Sequence, residues 1–286
     1  SNFSNLSANV LFVLGMFLFI IGFSFKIAAF PFHSWVPDVY QGSSTTVTGL
    51  MSSVGKTAAF SVIFIMLTTI FAGVSPNIFR TYFSVIAAFS MLFGSIVAIS
   101  QKNIKRMLAY SSISHAGYLS IGLASGNSDA LAGMLFYLFA YSFMNLGAFG
   151  IISILEDEKE GNLELNDYVG LSKSHPSLAG LLSLFLIALT GIPPLAGFFG
   201  KYYVFMSTIE SDLVWLALIG VLSSIISAYF YLRPIVLMYF RENEEPIKVN
   251  VSLPGMLAVL FSATVILLYG IFPNFLLDLI KSTINF

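Results

Sequence analysis

Long apolar segments dominate this sequence and leave few folds open to it. Charged residues occupy only 9% of the 286 positions and hydrophobic ones 57%, whereas a soluble domain carries about 25% charged residues. A membrane-spanning helix needs roughly 20 apolar residues, each adding about 1.5 Å of rise. We therefore predict an all-α polytopic membrane helix bundle with about eight crossings. The predicted segments are approximately 9–41, 46–71, 79–100, 107–124, 129–155, 177–210, 213–240 and 253–272.

Two of these segments exceed one crossing and contain residues that interrupt helices. The breakers are Pro31 and Pro37 in the first segment, and Gly191, Pro193, Pro194 and Gly197 in the sixth. Proline removes a backbone donor and clashes with the preceding turn. A broken helix persists at membrane depth only where protein or a water-filled cavity satisfies the freed groups. We predict two broken helices that each cross once; a re-entrant pair is the alternative.

Three lysines lie inside the apolar segments, namely Lys26, Lys56 and Lys201. An ammonium group near the middle of a bilayer costs about 3 kcal/mol or more, so such residues usually face a bundle interior or a wet cavity. Lysine also releases its proton readily when it is desolvated. We predict that the three lysines relay charge. The alternative is that each one extends to the membrane interface or forms a static pair.

Two histidines lie in the predicted membrane region. His115 is surrounded by hydroxyl side chains in the segment LAYSSISHAGY, and histidine titrates near neutral pH. It either passes protons or is simply satisfied by its neighbours, and the sequence leaves both readings open. His33 follows Pro31, and we expect it to stabilise the helix break. Asp38 could pair with His33 or with a cation of a nearby connection.

Positive charge is unevenly distributed between the two predicted sides of the membrane. Connections 42–45, 101–106, 156–176 and 241–252 share one side, and the positive-inside bias favours them as cytoplasmic. Their basic residues are Lys102, Lys105, Arg106, Lys159, Lys173, Arg241 and Lys248, against Arg80 and Lys281 on the other side. The polar 156–176 connection is either a solvated loop or a docking site for a peripheral partner.

Several classes of chemistry find no support in the sequence. The chain has no cysteine, so it cannot supply thiolate ligands to an iron–sulfur cluster or form disulfides. It also lacks a Gly-rich nucleotide loop and clustered metal ligands. We predict no cofactor in this chain, and the net charge of −1 gives no sign of a nucleic-acid partner. Because the sequence begins at Ser1 without an initiator methionine, we expect a fragment.

Four motifs together identify a family. The segment KIAAFPFHSWVPDVYQG, Lys56 thirty residues after Lys26, the segment QKNIKRMLAYSSISHAGY and the segment GIPPLAGFFGKYYVF resemble the antiporter-like membrane subunits of respiratory complex I, the NADH–quinone oxidoreductase. Within that family, VYQGSSTT, YSSISHAGY and a lysine rather than a glutamate at position 201 favour the subunit N branch over the subunit L and M branches.

The resemblance implies a fold and a set of residue roles. The family has fourteen crossings with two five-helix repeats of inverted topology, and this chain resembles crossings seven to fourteen. Residues 1–71 would end the first repeat, 79–240 would form the second, and 241–286 would be the last crossing with an amphipathic tail in a single membrane domain. Lys26, Lys56 and Lys201 would then be the lysines of the broken seventh, the eighth and the broken twelfth helices. His115 would lie on the tenth helix; the fifth helix, whose glutamate pairs with the first lysine, is not in this sequence.

These observations lead to a functional hypothesis and its rivals. The chain would translocate protons through a hydrated relay of Lys26, Lys56, Lys201 and His115, driven by quinone reduction elsewhere in the complex. Its partners would be other complex I membrane subunits and lipid, and its location the cell inner (plasma) membrane, or a mitochondrial or plastid inner membrane. The alternatives are a stand-alone cation/proton antiporter or membrane-hydrogenase subunit, or a passive membrane scaffold.

Overall fold

The computed structural model describes residues 10–71, 74, 76–156, 161, 163–242, 249 and 251–284. The described residues form a helix bundle, and no strand occurs among them. Lys159 and Lys248 of the charge-bias argument, and residues 157–160 and 162 of the polar connection, lie outside the described residues. The longer helices are α1 (Val10–Lys26), α2 (Trp35–Gly42), α3 (Thr45–Thr69), α4 (Pro76–Ile99), α5 (Ile104–Ser125), α6 (Ser128–Leu155), α7 (Pro176–Thr190), α8 (Ala196–Glu210), α9 (Val214–Phe240), α10 (Leu253–Ile271) and α11 (Pro273–Ile284). The 156–176 connection adds a 3₁₀ helix, Leu165–Tyr168, and a short α-helix, Leu171–Ser174.

The all-α membrane bundle predicted from the apolar segments is confirmed. Of the helices in the described part of the chain, five are long and apolar enough to cross a membrane, namely α3, α4, α6, α9 and α10. Helices α1 and α7 are shorter apolar helices, each forming one half of a segment predicted to be broken. Helix α5 has 22 residues but begins with charged side chains. The number of crossings, predicted as eight, stays a prediction.

Both predicted helix breaks are present, but two of the predicted breakers lie inside helices. The first lies between the end of α1 at Lys26 and the start of α2 at Trp35, and the second between Thr190 and Ala196. Pro37 does not interrupt a helix, because it lies in the first turn of α2, where a proline needs no backbone donor. Gly197 also lies inside a helix, near the start of α8.

Side chains from elsewhere hold the first break in place. The Trp35 Nε1 donates to the Phe25 carbonyl at 3.0 Å, which satisfies a group freed at the end of α1. The Phe30 amide donates to Ser90 Oγ of α4 at 2.9 Å. Ala28 has a φ of 64°, a backbone conformation that is uncommon for residues other than glycine. The break is therefore a built feature anchored to α4.

Helix α5 is the centre of the bundle. Every residue from Ser111 to Ala124 is buried, because α5 packs along α4 and is also covered by α2, α6 and α8. Asn103 caps its first turn by accepting from the Arg106 amide at 3.1 Å. Gly126, with a φ of 68°, ends it in the left-handed conformation that glycine tolerates best. Residues on α5 are thus held between several helices at once.

The C-terminal helix α11 lies against the start of α6, where Lys281 forms an ion pair with Asp129 at 2.6 Å. That hydrogen bond raises the pKa of Lys281 above its ordinary value. Leu276 is buried against the bundle, whereas Phe275 and Leu279 are exposed. That this tail lies in the membrane interface stays a prediction.

Candidate functional site

Lys56 lies inside the bundle and contacts the central helix. It is only 2% exposed, and its amine donates to the Ser112 carbonyl of α5. The amine also lies over the Tyr141 ring of α6, 5.5 Å from the ring centroid, within cation–π range. A charged or neutral amine is therefore held between α5 and α6.

A π-helical turn, Met51–Gly55, immediately precedes Lys56 within α3. Such turns insert an extra residue into an α-helix and are frequent at functional sites. Ser52 and Ser53 donate to the Gly49 carbonyl at 2.9 and 2.7 Å. These side-chain hydrogen bonds supplement the altered backbone hydrogen bonds of the turn. The turn rotates the following residues relative to a regular helix, and Lys56 is the first of them.

His115 is contacted by a tyrosine hydroxyl at each ring nitrogen. Its Nδ1 lies 2.7 Å from the Tyr137 hydroxyl of α6, and its Nε2 lies 2.9 Å from the Tyr231 hydroxyl of α9. Tyr231 also bonds to Ser111 Oγ. A neutral imidazole has one donor and one acceptor, so one hydroxyl donates to the ring and the other accepts from it. This is the arrangement a proton relay needs, and it equally satisfies a buried histidine.

Lys201 lies beside the second helix break. It is 5% exposed, and its amine donates to the Thr190 carbonyl at 2.8 Å and to Ser224 Oγ at 3.3 Å. Thr190 is the last residue of α7, so Lys201 satisfies a carbonyl freed by the break and interacts favourably with the helix dipole. The amine also lines a cavity of about 400 Å³ between α8 and α9.

Aromatic rings and hydroxyls connect the two lysines through the histidine. The Tyr141 ring, over which Lys56 lies, has its centroid 4.8 Å from that of His115. On the other side the Tyr118 ring lies 5.7 Å from His115 and 4.7 Å from the Lys201 amine. The structure therefore brings Lys56, His115 and Lys201 into one row inside the bundle.

Hydroxyl groups of α4, α5 and α9 extend this row behind Tyr118. The Tyr118 hydroxyl lies 3.0 Å from both Ser223 Oγ and Ser224 Oγ. Ser223 in turn lies 2.7 Å from Ser95, which is 2.9 Å from Ser114. All these hydroxyls can both donate and accept, so they form a polar stripe within an apolar bundle.

Lys26 is not part of this row. It is the last residue of α1 and is exposed on the surface of the described chain. His33 stacks on Phe30 and contacts Phe93, with ring centroids 5.4 and 4.5 Å away, which agrees with its expected role at the break. Asp38 pairs with Arg106 at 2.6 Å; of the two partners that the sequence left open, the cation is the one it contacts.

Reasoning from the sequence missed several residues of the site. The neighbours of His115 are Tyr137, Tyr141 and Tyr231. Of these, only Tyr137 and Tyr141 could have been linked from the sequence, because a spacing of four places both on one helix face. Lys105 was counted as a loop charge, yet it is 1% exposed. Nothing in its local segment QKNIKRML distinguishes it from its exposed neighbours.

The part of the chain that the structure describes contains no group of three or more histidine, aspartate or glutamate residues placed to hold a metal ion. The row consists of two lysines, one histidine and hydroxyl groups. The arrangement can therefore hold and move protons, while nothing in it resembles a metal centre.

Comparisons with known proteins agree with this architecture. A family model described as "NADH:quinone oxidoreductase/Mrp antiporter, TM" matches residues 1–227. The NADH-quinone oxidoreductase subunit N of Trichlorobacter lovleyi is 43% identical over 280 residues, which cover 98% of this chain and 57% of that protein. The chain thus spans a little over half the length of the curated relatives it matches.

Solved structures of two membrane complexes share the fold. A chain of respiratory complex I from Thermus thermophilus with bound aureothin matches with a TM-score of 0.81 and 32% identity, covering 94% of this chain and 59% of that one. A chain of the Mrp complex from Dietzia sp. DQ12-45-1b matches with a TM-score of 0.87 and 20% identity, covering 96% and 59%. The resemblance noted in the sequence is thereby confirmed, and the chain belongs to the NADH:quinone oxidoreductase/Mrp antiporter transmembrane family.

Proposed function

We propose that this chain is part of a proton-translocating membrane subunit of an NADH–quinone oxidoreductase. The observation that carries the proposal is the row of two buried lysines with a histidine between them, bonded at both ring nitrogens. Lys56, His115 and Lys201 relay the proton within the row, whereas a role for Lys26, which is exposed at the first break, stays a prediction. The names of the curated relatives support the same function.

The same proposal covers the energy source, the partners, the location and the domain organisation of the chain. Quinone reduction elsewhere in the complex supplies the energy, and this chain itself carries no redox cofactor. Its partners are other membrane subunits of the complex and the surrounding lipid of the cell inner (plasma) membrane. Residues 1–71 end one inverted repeat, 79–240 form the next, and 241–286 add the last crossing and the tail.

His115 can transfer a proton without lasting ionisation. A proton accepted at one ring nitrogen from a tyrosine hydroxyl leaves the other nitrogen ready to release its own. The Tyr231 hydroxyl also exchanges one proton for another, since it contacts both His115 and Ser111. The proton moves along the row while the ring returns to the neutral state.

Electrostatic repulsion links the two lysines. Two positive charges in one row repel each other, and the repulsion is stronger inside a protein than in water because the effective dielectric constant is lower. A proton arriving at Lys56 therefore favours release from Lys201. Lys201 faces the cavity between α8 and α9, and release occurs on that side of the row.

The test uses the full-length subunit assembled in its complex. Lys56→Met and Lys201→Met should each reduce the number of protons pumped per NADH oxidised in membrane vesicles, while the complex still assembles. Lys102→Met is the matched control, since Lys102 is an exposed lysine of the 101–106 connection. Wild-type pumping in both buried-lysine variants would refute the relay.

The rival functions predict different results in the same vesicles. A cation/proton antiporter would carry a sodium flux without NADH, and the fold shared with the Mrp complex makes that measurement worthwhile. A passive scaffold would lose assembly when the lysines are neutralised, while the ratio of protons to electrons stayed constant.

A further inference from the structure

A third buried lysine lies at the opposite end of α5 from Gly126. Lys105 is 1% exposed, and its amine donates to the Ser43 carbonyl of the α2–α3 connection at 2.6 Å. The Glu156 carboxylate at the end of α6 lies 3.8 Å from that amine, and its side chain is 13% exposed. The lysine is thus sealed inside the bundle, while its acidic partner reaches solvent.

The pair lies two helical turns from the residue that Lys56 contacts. Lys105 and Ser112 are seven residues apart on α5, which places them on one face about 10.5 Å apart along the axis. Phe149 and Glu156 have the same spacing on α6. On each of the two helices, about two turns therefore lead from the Lys105–Glu156 pair towards Lys56.

Tyr40 fills the layer between the pair and Lys56. It is 2% exposed, and its hydroxyl lies 3.4 Å from Ser112 Oγ. Its ring contacts the Phe149 ring edge-on, with centroids 6.2 Å apart. Because Tyr40 and Ser43 belong to the same short segment, the contact of Lys105 with Ser43 also positions the tyrosine.

Packing alone is a weak explanation for the pair. Removing two charges from water usually costs as much free energy as their mutual attraction returns, so a buried ion pair contributes little to stability. A neighbouring hydroxyl, that of Tyr168, is also buried. Burial, together with Asp167 and Glu156, raises the pKa of Tyr168, so this phenol stays protonated. The Glu156 side chain is the partly exposed group of the pair.

We propose that Lys105 and Glu156 form the proton-uptake port of the relay, on the side of the 101–106 connection. The Lys105 ammonium releases its proton inward, past the hydroxyls of Tyr40 and Ser112, to the neutral amine of Lys56. The Glu156 carboxylate takes up a proton from bulk water and passes it to the Lys105 amine. The carboxylate and the ammonium of the port are then back in their starting states. This inference rests on the proposed function.

The Lys105→Arg variant distinguishes a role of Lys105 in proton transfer from a purely structural role. A guanidinium keeps the positive charge that pairs with Glu156 and can still donate to the Ser43 carbonyl, but it does not release a proton in proteins. Glu156→Gln is nearly isosteric and serves as a second variant if the larger arginine side chain impairs assembly. Lys102→Met again serves as control. The readouts, for the assembled complex in inside-out vesicles, are the rate of NADH oxidation, the protons pumped per electron and the solvent isotope effect in D₂O.

Slow uptake has a distinct signature. Lys105→Arg and Glu156→Gln should oxidise NADH several-fold more slowly, show a larger solvent isotope effect and still pump the normal number of protons per electron. Wild-type rates and isotope effects in both variants would overturn the port while leaving the relay intact. Loss of the relay itself is a different result, namely unchanged pumping in Lys56→Met and Lys201→Met.

Discussion

The contact between the two halves of the second broken helix sets the position of Lys201, and Gly197 makes that contact possible. A Cβ added at Gly197 would lie 1.9 Å from the Ala188 carbonyl oxygen of α7, whereas real Cβ contacts are not closer than 3.0 Å. Gly197→Ala must therefore separate α8 from α7 by about 1 Å. Lys201 follows one turn later on the same helix face.

The displacement is enough to break the lysine contact. The Lys201 amine lies 2.8 Å from the Thr190 carbonyl, and an extra ~1 Å takes it beyond hydrogen-bonding distance. Losing a hydrogen bond to a charged group costs about 1.5–3 kcal/mol, so the population of the correctly placed amine falls roughly tenfold or more. We expect proton pumping per assembled complex to fall accordingly.

The assay is proton pumping driven by NADH in vesicles, normalised to the amount of assembled complex. Gly22→Ala is the matched control, because a Cβ at Gly22 in α1 meets nothing within 4 Å. That variant should pump as the wild type does. Normal pumping in Gly197→Ala, with normal assembly, would show that the placement of Lys201 against Thr190 does not matter.

Two further predictions concern single hydrogen bonds. Tyr231→Phe leaves His115 Nε2 and Ser111 Oγ without the hydroxyl they share. The complex should therefore lose about 1–3 kcal/mol of stability, which thermal unfolding in detergent measures. An unchanged unfolding transition would contradict this prediction. The hydrogen bond from Lys173, at 2.5 Å, lowers the pKa of Glu242, so the pair is fully formed above the ordinary carboxyl pKa and is lost as pH falls through the lower folded value. A carbon NMR titration of Glu242 should show that low midpoint and its return to the ordinary value in Lys173→Met.

The helices of this chain could be predicted from the sequence because membrane-spanning segments must satisfy their own backbone. The apolar segment 213–240 corresponds to Val214–Phe240, and 129–155 to Ser128–Leu155. The breaks were also predictable, because proline and glycine interrupt the backbone ladder locally. The π-helical turn Met51–Gly55 was not, since serine and glycine there are compatible with a regular helix as well.

Burial of the lysines was predictable only where the surrounding sequence is apolar. Lys56 and Lys201 lie deep in apolar segments and are buried, whereas Lys26 lies in one and is exposed on this chain. Lys105 was predicted to lie in the polar 101–106 connection, but it lies in the first turn of α5 and is sealed by Ser43 and the end of α6. Such burial depends on which distant segments pack together, and periodicity along one helix does not contain that information.

The central claim is that buried lysines gain and lose protons during turnover. Infrared difference spectra of the assembled complex, recorded after NADH addition with ¹⁵N-labelled lysine, report this directly. The account predicts an ammonium band that appears and disappears with turnover and is missing from Lys201→Met. A spectrum in which the Lys201 amine stays protonated throughout turnover would contradict it.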